Sequence, residues 1–465
     1  MPTDAKTALV WLRRDLRTED HPALQAAIRS GLPVRAVYIH DPDALAPWQA
    51  GGATRWYLHH SLIALQNELA QLGIPVHCMR GDTETALLEL IRTHKAECIF
   101  WNRVVEPEIE ALDAKIRSAL DKNSIRHQSF EDDCLLPPEQ VRKPDGTPYR
   151  VFTPFWKLVS QRLREDLPSL LDAPQACGPA VTADPTQIDA LGLLEGYAWY
   201  PKLHQHWQPG SAHALKMLDD FLEGPVEHYA EMRDVPGVQG TSRLSTALHF
   251  GEISARRIFV HGEPIFQNHP DSSAREGARR FLAEVGWREF ARHVLHAFPH
   301  SANESLDARF EDASAWRTLD TAQHDEWLDA WKRGETGVDL VDAGMRELWE
   351  TGWMHNRVRM VVGSYLTKNL GISWHEGARW FWDTLVDADL ASNTLGWQWV
   401  SGCGTDAAPY YRIFNPDMQA EKFDPDRIYI ERWLGNRVLR PNPLIDLKTS
   451  RAQALERFQQ LKQVA

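Results

Sequence analysis

The sequence predicts an α/β N-terminal domain, with a parallel Rossmann-like sheet, followed by an all-α C-terminal domain. Three observations carry that expectation. The first 130 residues alternate short apolar runs with stretches of helical period. Residues 171–199 contain Pro174, Pro179 and Pro185, few charges and no period, the texture of a connector. From about Ser211 onward the apolar spacing is helical and strand signals nearly vanish.

Residues 8–12 (ALVWL) and 34–39 (VRAVYI) read as strands. Residues 53–72 carry Leu58, Leu62, Leu65 and Leu69 at spacings of three and four, one face of a helix. Strand 76–79, helix 83–93, strand 97–101 and helix 109–120 follow over short connections, which calls for a parallel sheet covered by helices. Neither GxGxxG nor a P-loop is present, so a ligand at the carboxyl ends of the strands is an expectation of the fold alone. Pro137-Pro138 and residues 143–148 (KPDGTP) read as turns. Ser211 is placed to cap a helix bearing Leu215, Leu218 and Leu222, and residues 278–296, 338–349 and 375–385 repeat that spacing. The division expected is 1–130 for the sheet domain, 131–205 for the connector and 206–465 for the helical domain.

Of 465 residues, 43% are hydrophobic and 25% charged, which excludes collagen, coiled coil and wholesale disorder. The net charge of −13, from 51 Lys and Arg against 64 Asp and Glu, argues against indiscriminate coating of nucleic acid but leaves room for a local basic groove. Cys78, Cys98, Cys134, Cys177 and Cys403 are scattered without CxxC spacing, so neither a zinc site nor a disulfide framework is expected. With no signal-peptide pattern and no apolar run of membrane length, the expectation is a cytoplasmic monomer. The 19 Trp outnumber both the 10 Tyr and the 16 Phe.

Trp374, Trp380, Trp382, Trp397 and Trp399 crowd into residues 374–423 beside Asp387, Asp389, Asn393 and a Gly-rich loop. Singly, such tryptophans are core residues and such aspartates are helix caps; together they suggest a large planar ligand with polar edges. Residues 387–399 (DADLASNTLGWQW) and 404–416 (GTDAAPYYRIFNP) resemble the flavin-pocket signature of the photolyase/cryptochrome family. Residues 10–17 (VWLRRDLR), 240–245 (GTSRLS), 284–290 (EVGWREF) and 351–360 (TGWMHNRVRM) are similar to further family blocks, in the same order.

The resemblance implies a helical domain that binds FAD, and damaged DNA as partner. It places Thr241, Ser242, Arg243, Leu244 and Ser245 on the flavin phosphates, although a Thr-Ser-Arg run alone is an ordinary cap. It places Tyr229, Phe281, Arg288, Arg359, Asp387, Ala388 and Asp389 around the cofactor, with Arg359 paired to Asp387. Asn393 falls opposite flavin N5, where an amide can both donate and accept. Glu284, Trp287, Asn356, Met360 and Trp399 are implied to hold a flipped-out thymine dimer, with Arg233, Arg357 and Gln419 as further DNA contacts. Trp397, Trp374 and Trp316 match an electron-transfer chain, with Trp327 and Trp331 as neighbours able to replace the last. Thr246 stands where the family commonly has Pro.

The activity implied is light-driven repair of cyclobutane pyrimidine dimers, a carbon–carbon lyase reaction. A (6-4) photolyase is disfavoured by Asn356, where those enzymes place His, and a plant-type cryptochrome by Asn393, where those carry Asp. The chain also ends about fifty residues after Asn415-Pro416, which argues against a cryptochrome-like extension, while residues 394–397 (TLGW) resemble plant cryptochromes and their bacterial relatives. A plain FAD oxidoreductase lacks support, since nothing resembles a nicotinamide site. A second antenna chromophore (folate, deazaflavin or FMN) is expected in the N-terminal domain, where Glu108 and Ile109 replace the Asn-Glu pair that clasps folate in some members. Lys143, Arg150, Lys157, Arg162, Arg233, Arg288, Arg357, Arg412 and Lys422 are the cations available to a DNA-binding face.

Overall fold

The structure, a computed structural model, describes residues 6–196, 199–406, 411–435 and 441–463. Five strands, β1 (Thr7–Leu12), β2 (Val34–His40), β3 (Val76–Arg80), β4 (Ala96–Asn102) and β5 (Arg126–Phe130), form one sheet in the order β3-β2-β1-β4-β5. Every pairing is parallel. The apolar runs expected as strands are β1 to β4, and the helices expected are Gly52–Gln71 and Thr83–Thr93 between them and Pro107–Lys122 after β4. Two elements fall outside the strands and helices expected from the sequence, β5 for want of an apolar pattern and the helix Pro22–Arg29, which buries Ala23, Leu24 and Ala27, because it is only eight residues long. β5 reads RHQSF and lies at the sheet edge, held through one ladder to β4, so it forms without a hydrophobic run. The helix Pro22–Arg29 is short and starts on a proline at its first position.

Beyond the sheet, residues 131–205 divide their packing. The helix Phe152–Glu165 buries Phe155, Val159 and Leu163 against Phe221, Phe281 and Phe290 of the helical half. Ile188, Leu191, Leu193 and Leu203 instead pack on the sheet domain beside Leu58 and Leu62. From Ser211 on, the described residues are helical or irregular. The helix Ser211–Glu223 is capped differently from the expectation: Gly210, at φ 130°, is the N-cap, and Ser211 sits one residue inside. The Ser211 hydroxyl is drawn away to Glu68 of the sheet domain at 2.8 Å, so a tertiary hydrogen bond has replaced the local one. Among the described residues no helix is long and apolar enough to cross a membrane.

Strand order reverses between β1 and β4, and the segment leaving β1 there seams the two halves. Arg13 pairs with Asp113 at 2.7 Å, Arg14 with Glu106, and Arg17 with Asp132 at 2.7 Å. Leu16 N–H donates to the Phe250 carbonyl at 3.0 Å and Arg17 to that of Gly251 at 3.0 Å. Nearby, Glu252 is buried at the seam and accepts from Tyr57 at 2.8 Å, Ser61 at 2.7 Å and Gly210 N–H at 2.7 Å. Burial pushes its carboxyl up to about 7, and these donors pull it back only in part. The native state therefore holds a proton that the unfolded chain releases near its ordinary value of about 4.3. The resulting stabilisation is complete below that value and fades as pH rises through 7. Thermal melts should show stability falling between pH 5 and 8 by on the order of 3 kcal/mol from this group, and Glu252→Gln should flatten that slope.

Candidate active site

The long helix Ser272–Ala297 crosses the helical domain and presents Phe281, Glu284, Trp287, Arg288 and Arg292 in successive turns. Glu284 and Trp287, three residues apart, share one face. Arg233 reaches Glu284 at 2.6 Å and lies over the Tyr229 ring at 5.6 Å, while Tyr229 packs edge-on to Phe281 at 5.9 Å. Burial pushes the Glu284 carboxyl up, and the Arg233 guanidinium offsets only part of that.

The helices Trp374–Thr384 and Leu390–Ser401 pack face to face because Gly377 leaves room for the Trp397 ring, 2.1 Å from where a Cβ would stand. Asn393 is buried and donates to the Ala378 carbonyl at 3.1 Å. Its position is fixed from below by Asp389, which caps the second helix by accepting from Ser392 N–H at 2.9 Å. Asp389 is also held by Arg292 at 3.0 Å, with His249 at 3.8 Å. Burial alone raises a carboxyl, but Arg292 and His249 outweigh it and hold Asp389 well below the usual carboxylate range. Asp387 takes Arg359 at 2.9 Å and the Ser245 hydroxyl at 2.7 Å, so the pair expected from the sequence is formed and extends to the 241–245 segment.

Arg243 adopts φ 54°, a left-handed conformation, and its guanidinium is sandwiched between Trp207 and Trp353, each 4.6 Å away. It makes no ion pair among the described residues, its Nε is buried without a partner, and desolvation lowers its pKa. A buried cation lacking an anion is what a phosphate would satisfy. The residues present therefore fit a pyrophosphate at 241–245 and a planar ring system near Asn393.

Asn356 opens the helix Asn356–Ser364 and is exposed, with Met360 one turn later; Arg357 pairs with Asp234 at 2.8 Å and covers Phe423. Gln419 lies in the helix Pro416–Phe423, its Oε1 buried without a partner. Trp399 donates its indole N–H to the Asp406 carbonyl at 3.2 Å. Residues 407–410 of the expected motif lie outside the described residues. Arg288 departs from the expectation of a cofactor or phosphate contact. It is paired to Asp133 at 3.0 Å and Glu289 at 2.6 Å, so its guanidinium is spent on the seam between the halves. Glu108 stands in the first turn of Pro107–Lys122, past the end of β4, with Oε2 buried and unpartnered.

Trp397, Trp374 and Trp331 are buried in one core, with Trp316 packed against it. Trp374 donates to Ser305 at 2.9 Å and Trp316 to the Phe310 carbonyl at 3.1 Å, whereas the buried Trp397 Nε1 has no partner. Trp331 touches the Trp397 ring edge-on at 6.1 Å. Asp133 and Arg292 were not singled out in the sequence; their signal is an Asp and an Arg 159 residues apart, invisible without the fold.

A family model described as the FAD binding domain of DNA photolyase matches residues 281–438, and one described as DNA photolyase matches residues 8–175. A deoxyribodipyrimidine photo-lyase of Agrobacterium fabrum is 41% identical over 433 residues, 92% of this chain and 87% of that protein. The chain belongs to the photolyase/cryptochrome family. Cryptochrome-1 of Arabidopsis thaliana is 35% identical over 92% of this chain and 62% of its own length. The solved class III photolyase of Agrobacterium tumefaciens superposes with a TM-score of 0.89 at 36% identity, covering 100% of this chain and 99% of that one. An archaeal photolyase of Sulfolobus tokodaii, solved with two FAD molecules, gives 0.80 at 26% identity, covering 98% of this chain and 100% of that one. The fold class is therefore that of the photolyases, with an FAD-binding helical domain. Replacing Asp389 with Ala removes a helix cap and leaves Arg292 half-paired in the interior. It should lower stability by about 3 kcal/mol in denaturant titration and reduce the FAD retained on purification.

Proposed function

We propose that the protein repairs cyclobutane pyrimidine dimers in UV-damaged DNA with light absorbed by its FAD. The observation that carries this reading is Glu284, held by Arg233 on the helix face that also presents Trp287. A polar pocket against an aromatic wall suits a pair of linked pyrimidines taken out of the stack. Stacking on Trp287 and Trp399 offsets part of the unstacking cost, at about 1–3 kcal/mol per base. Glu284, its carboxyl raised by burial, hydrogen-bonds the pyrimidine edge and stabilises charge as it develops there. Asn356 and Met360, one turn apart, complete the pocket, and Arg233, Arg357 and Gln419 meet the flanking strand.

Arg243 with Thr241, Ser242, Leu244 and Ser245 holds the cofactor's pyrophosphate. Tyr229, Phe281, Asp387, Ala388 and Asp389 surround the rest, with Arg359 fixing Asp387. When bound and reduced, FAD supplies on excitation the electron that opens the cyclobutane ring and recovers it afterwards. Asn393 presents an amide to the N5 edge, and Trp397, Trp374 and Trp316 conduct electrons inward from the surface, with Trp331 as a branch beside Trp397. The DNA-facing cations are Arg150, Lys157, Arg162, Arg412 and Lys422, all exposed, which supports binding as a monomer with steep salt dependence. A second chromophore near Glu108, at the carboxyl end of β4, would harvest light, and the free cysteines support a cytoplasmic setting. A light-signalling role alongside repair draws support from residues 394–397 and from the 35% identity to Cryptochrome-1.

Illumination of the reduced protein with a thymine-dimer oligonucleotide should restore the two thymines, with no restoration in the dark; a dimer that persists under light with FAD bound and reduced overturns the proposal. Glu284→Ala should lower the repair yield per photon about tenfold while leaving the FAD spectrum intact, the effect of one hydrogen bond to a charged group.

A further inference from the structure

The two tryptophans that wall the substrate pocket stand on different helices, and each is gripped from the same short segment of residues 150–152. The Phe152 ring lies flat against Trp287, centroids 3.9 Å apart and planes 8° from parallel. Both rings also meet Phe290 edge-on, at 6.0 and 5.8 Å, which leaves the pair little freedom to slide. One turn further along the Phe152–Glu165 helix, Trp156 presses on Gly286, where a Cβ would stand 2.5 Å from its ring. The helix is thus seated against the residue preceding Trp287.

Two residues before Phe152, the Arg150 carbonyl accepts from Asp406 N–H at 3.1 Å, and the Asp406 carbonyl accepts from the Trp399 indole at 3.2 Å. Asp406 holds φ 54°, a left-handed conformation that costs a non-glycine residue energy and persists only where its surroundings impose it. Val151 between the two grips is exposed, so apolar burial of this residue does not explain the segment's position.

We propose that residues 150–152 form a clasp that sets the angle and spacing of the Trp287 and Trp399 walls, with Phe152 and Asp406 as positioning residues for the lesion. The inference rests on the reading of this pocket as the dimer site. A flat aromatic backing fixes the plane of Trp287 before substrate arrives, so less ordering remains for binding to do. The Asp406 bridge transmits the same reference frame to Trp399 through its N–H bond to the Arg150 carbonyl and its carbonyl's bond from the Trp399 indole.

The test is binding and repair of a thymine-dimer oligonucleotide by Phe152→Ala, Phe152→Leu and Phe152→Tyr, each with its FAD content and flavin spectrum recorded. Phe152→Leu fills most of the space but cannot stack, and should weaken dimer binding about tenfold, read as a rise in KM, with FAD content unchanged and yield at saturating substrate nearly kept. Phe152→Tyr should restore wild-type KM. Asp406→Val, β-branched at a positive φ, should raise KM in the same manner, whereas Asp406→Asn, which tolerates that backbone, should not. Wild-type KM in Phe152→Leu overturns the clasp, as does failure of Phe152→Tyr to rescue. Should Phe152→Ala lose its FAD, Phe152→Leu and Asp406→Val decide. If the wild-type protein itself neither binds nor repairs the dimer, the reading of the pocket fails and the clasp with it; if it does both, only the clasp is in question.

Discussion

Arg292 is the constraint on which the rest of the molecule depends. Its guanidinium is almost wholly buried and is divided between Asp133 at 2.9 Å and Asp389 at 3.0 Å. A charge in that position is tolerated only with partners in place, because removing it from water costs far more than the interior returns to an unpaired ion. Burial alone would lower its pKa; the flanking carboxylates overcome this and raise it well above the ordinary value. Asp133 belongs to the segment leaving the sheet and also accepts from Val105 N–H at 3.0 Å. Asp389 caps the helix that carries Asn393 and Trp397, and Arg292 itself rides on the helix of Glu284 and Trp287. One side chain therefore ties the segment leaving the sheet and the helices Ser272–Ala297 and Leu390–Ser401 into a single frame.

Such a frame matters because the chemistry proposed is electron transfer over fixed gaps, which a protein controls chiefly by holding partners still. The elements around Asn393 leave little slack. Gly377 admits the Trp397 ring, Asn393 is tied to Ala378, and Asp387 is gripped by Arg359 and Ser245 at once. Arg243 is the exception, a buried cation stacked between two indoles and short of an anion. If that site takes the cofactor's phosphate, as proposed, cofactor binding and domain stability are linked there.

Much of this was legible in the sequence, and the boundary of legibility has a physical cause. β1, β2 and β4, interior in the sheet, announce themselves because strands covered on both faces must be apolar, while β3, at one edge, still buries Val76. β5, at the other edge, has no buried residue and is held by its backbone ladder, so it carries no apolar signal. Glu284, Trp287 and the 387–399 segment are legible because each sits in a short local run that resembles a family motif. The Phe152–Glu165 helix follows a turn rich in proline and glycine and was taken as connector; its burial against Phe281 and Phe290 comes from residues more than a hundred positions away. Ser211 was read as a cap by local rules and lost that role to Glu68, 143 residues distant. Arg292 with Asp133, and Phe152 with Trp287, are long-range pairs of the same kind, and no periodicity encodes them.

The net charge of −13 takes on a different meaning once the buried ions are placed. Arg14, Arg17, Arg288 and Arg292 are neutralised by Glu106, Asp132, Asp133, Glu289 and Asp389 inside the protein, so none of these arginines is available to bind phosphate. The remaining charge is still net acidic, and exposed cations such as Lys115, Arg126, Arg280 and Lys448 are spread over the surface as well as at Arg150, Lys157, Arg162, Arg412 and Lys422. A net negative charge keeps the sequence-independent part of the affinity for duplex small. Under the proposed repair function, discrimination then comes from what only a lesion offers, a pair of bases weakly held in the stack and able to leave it.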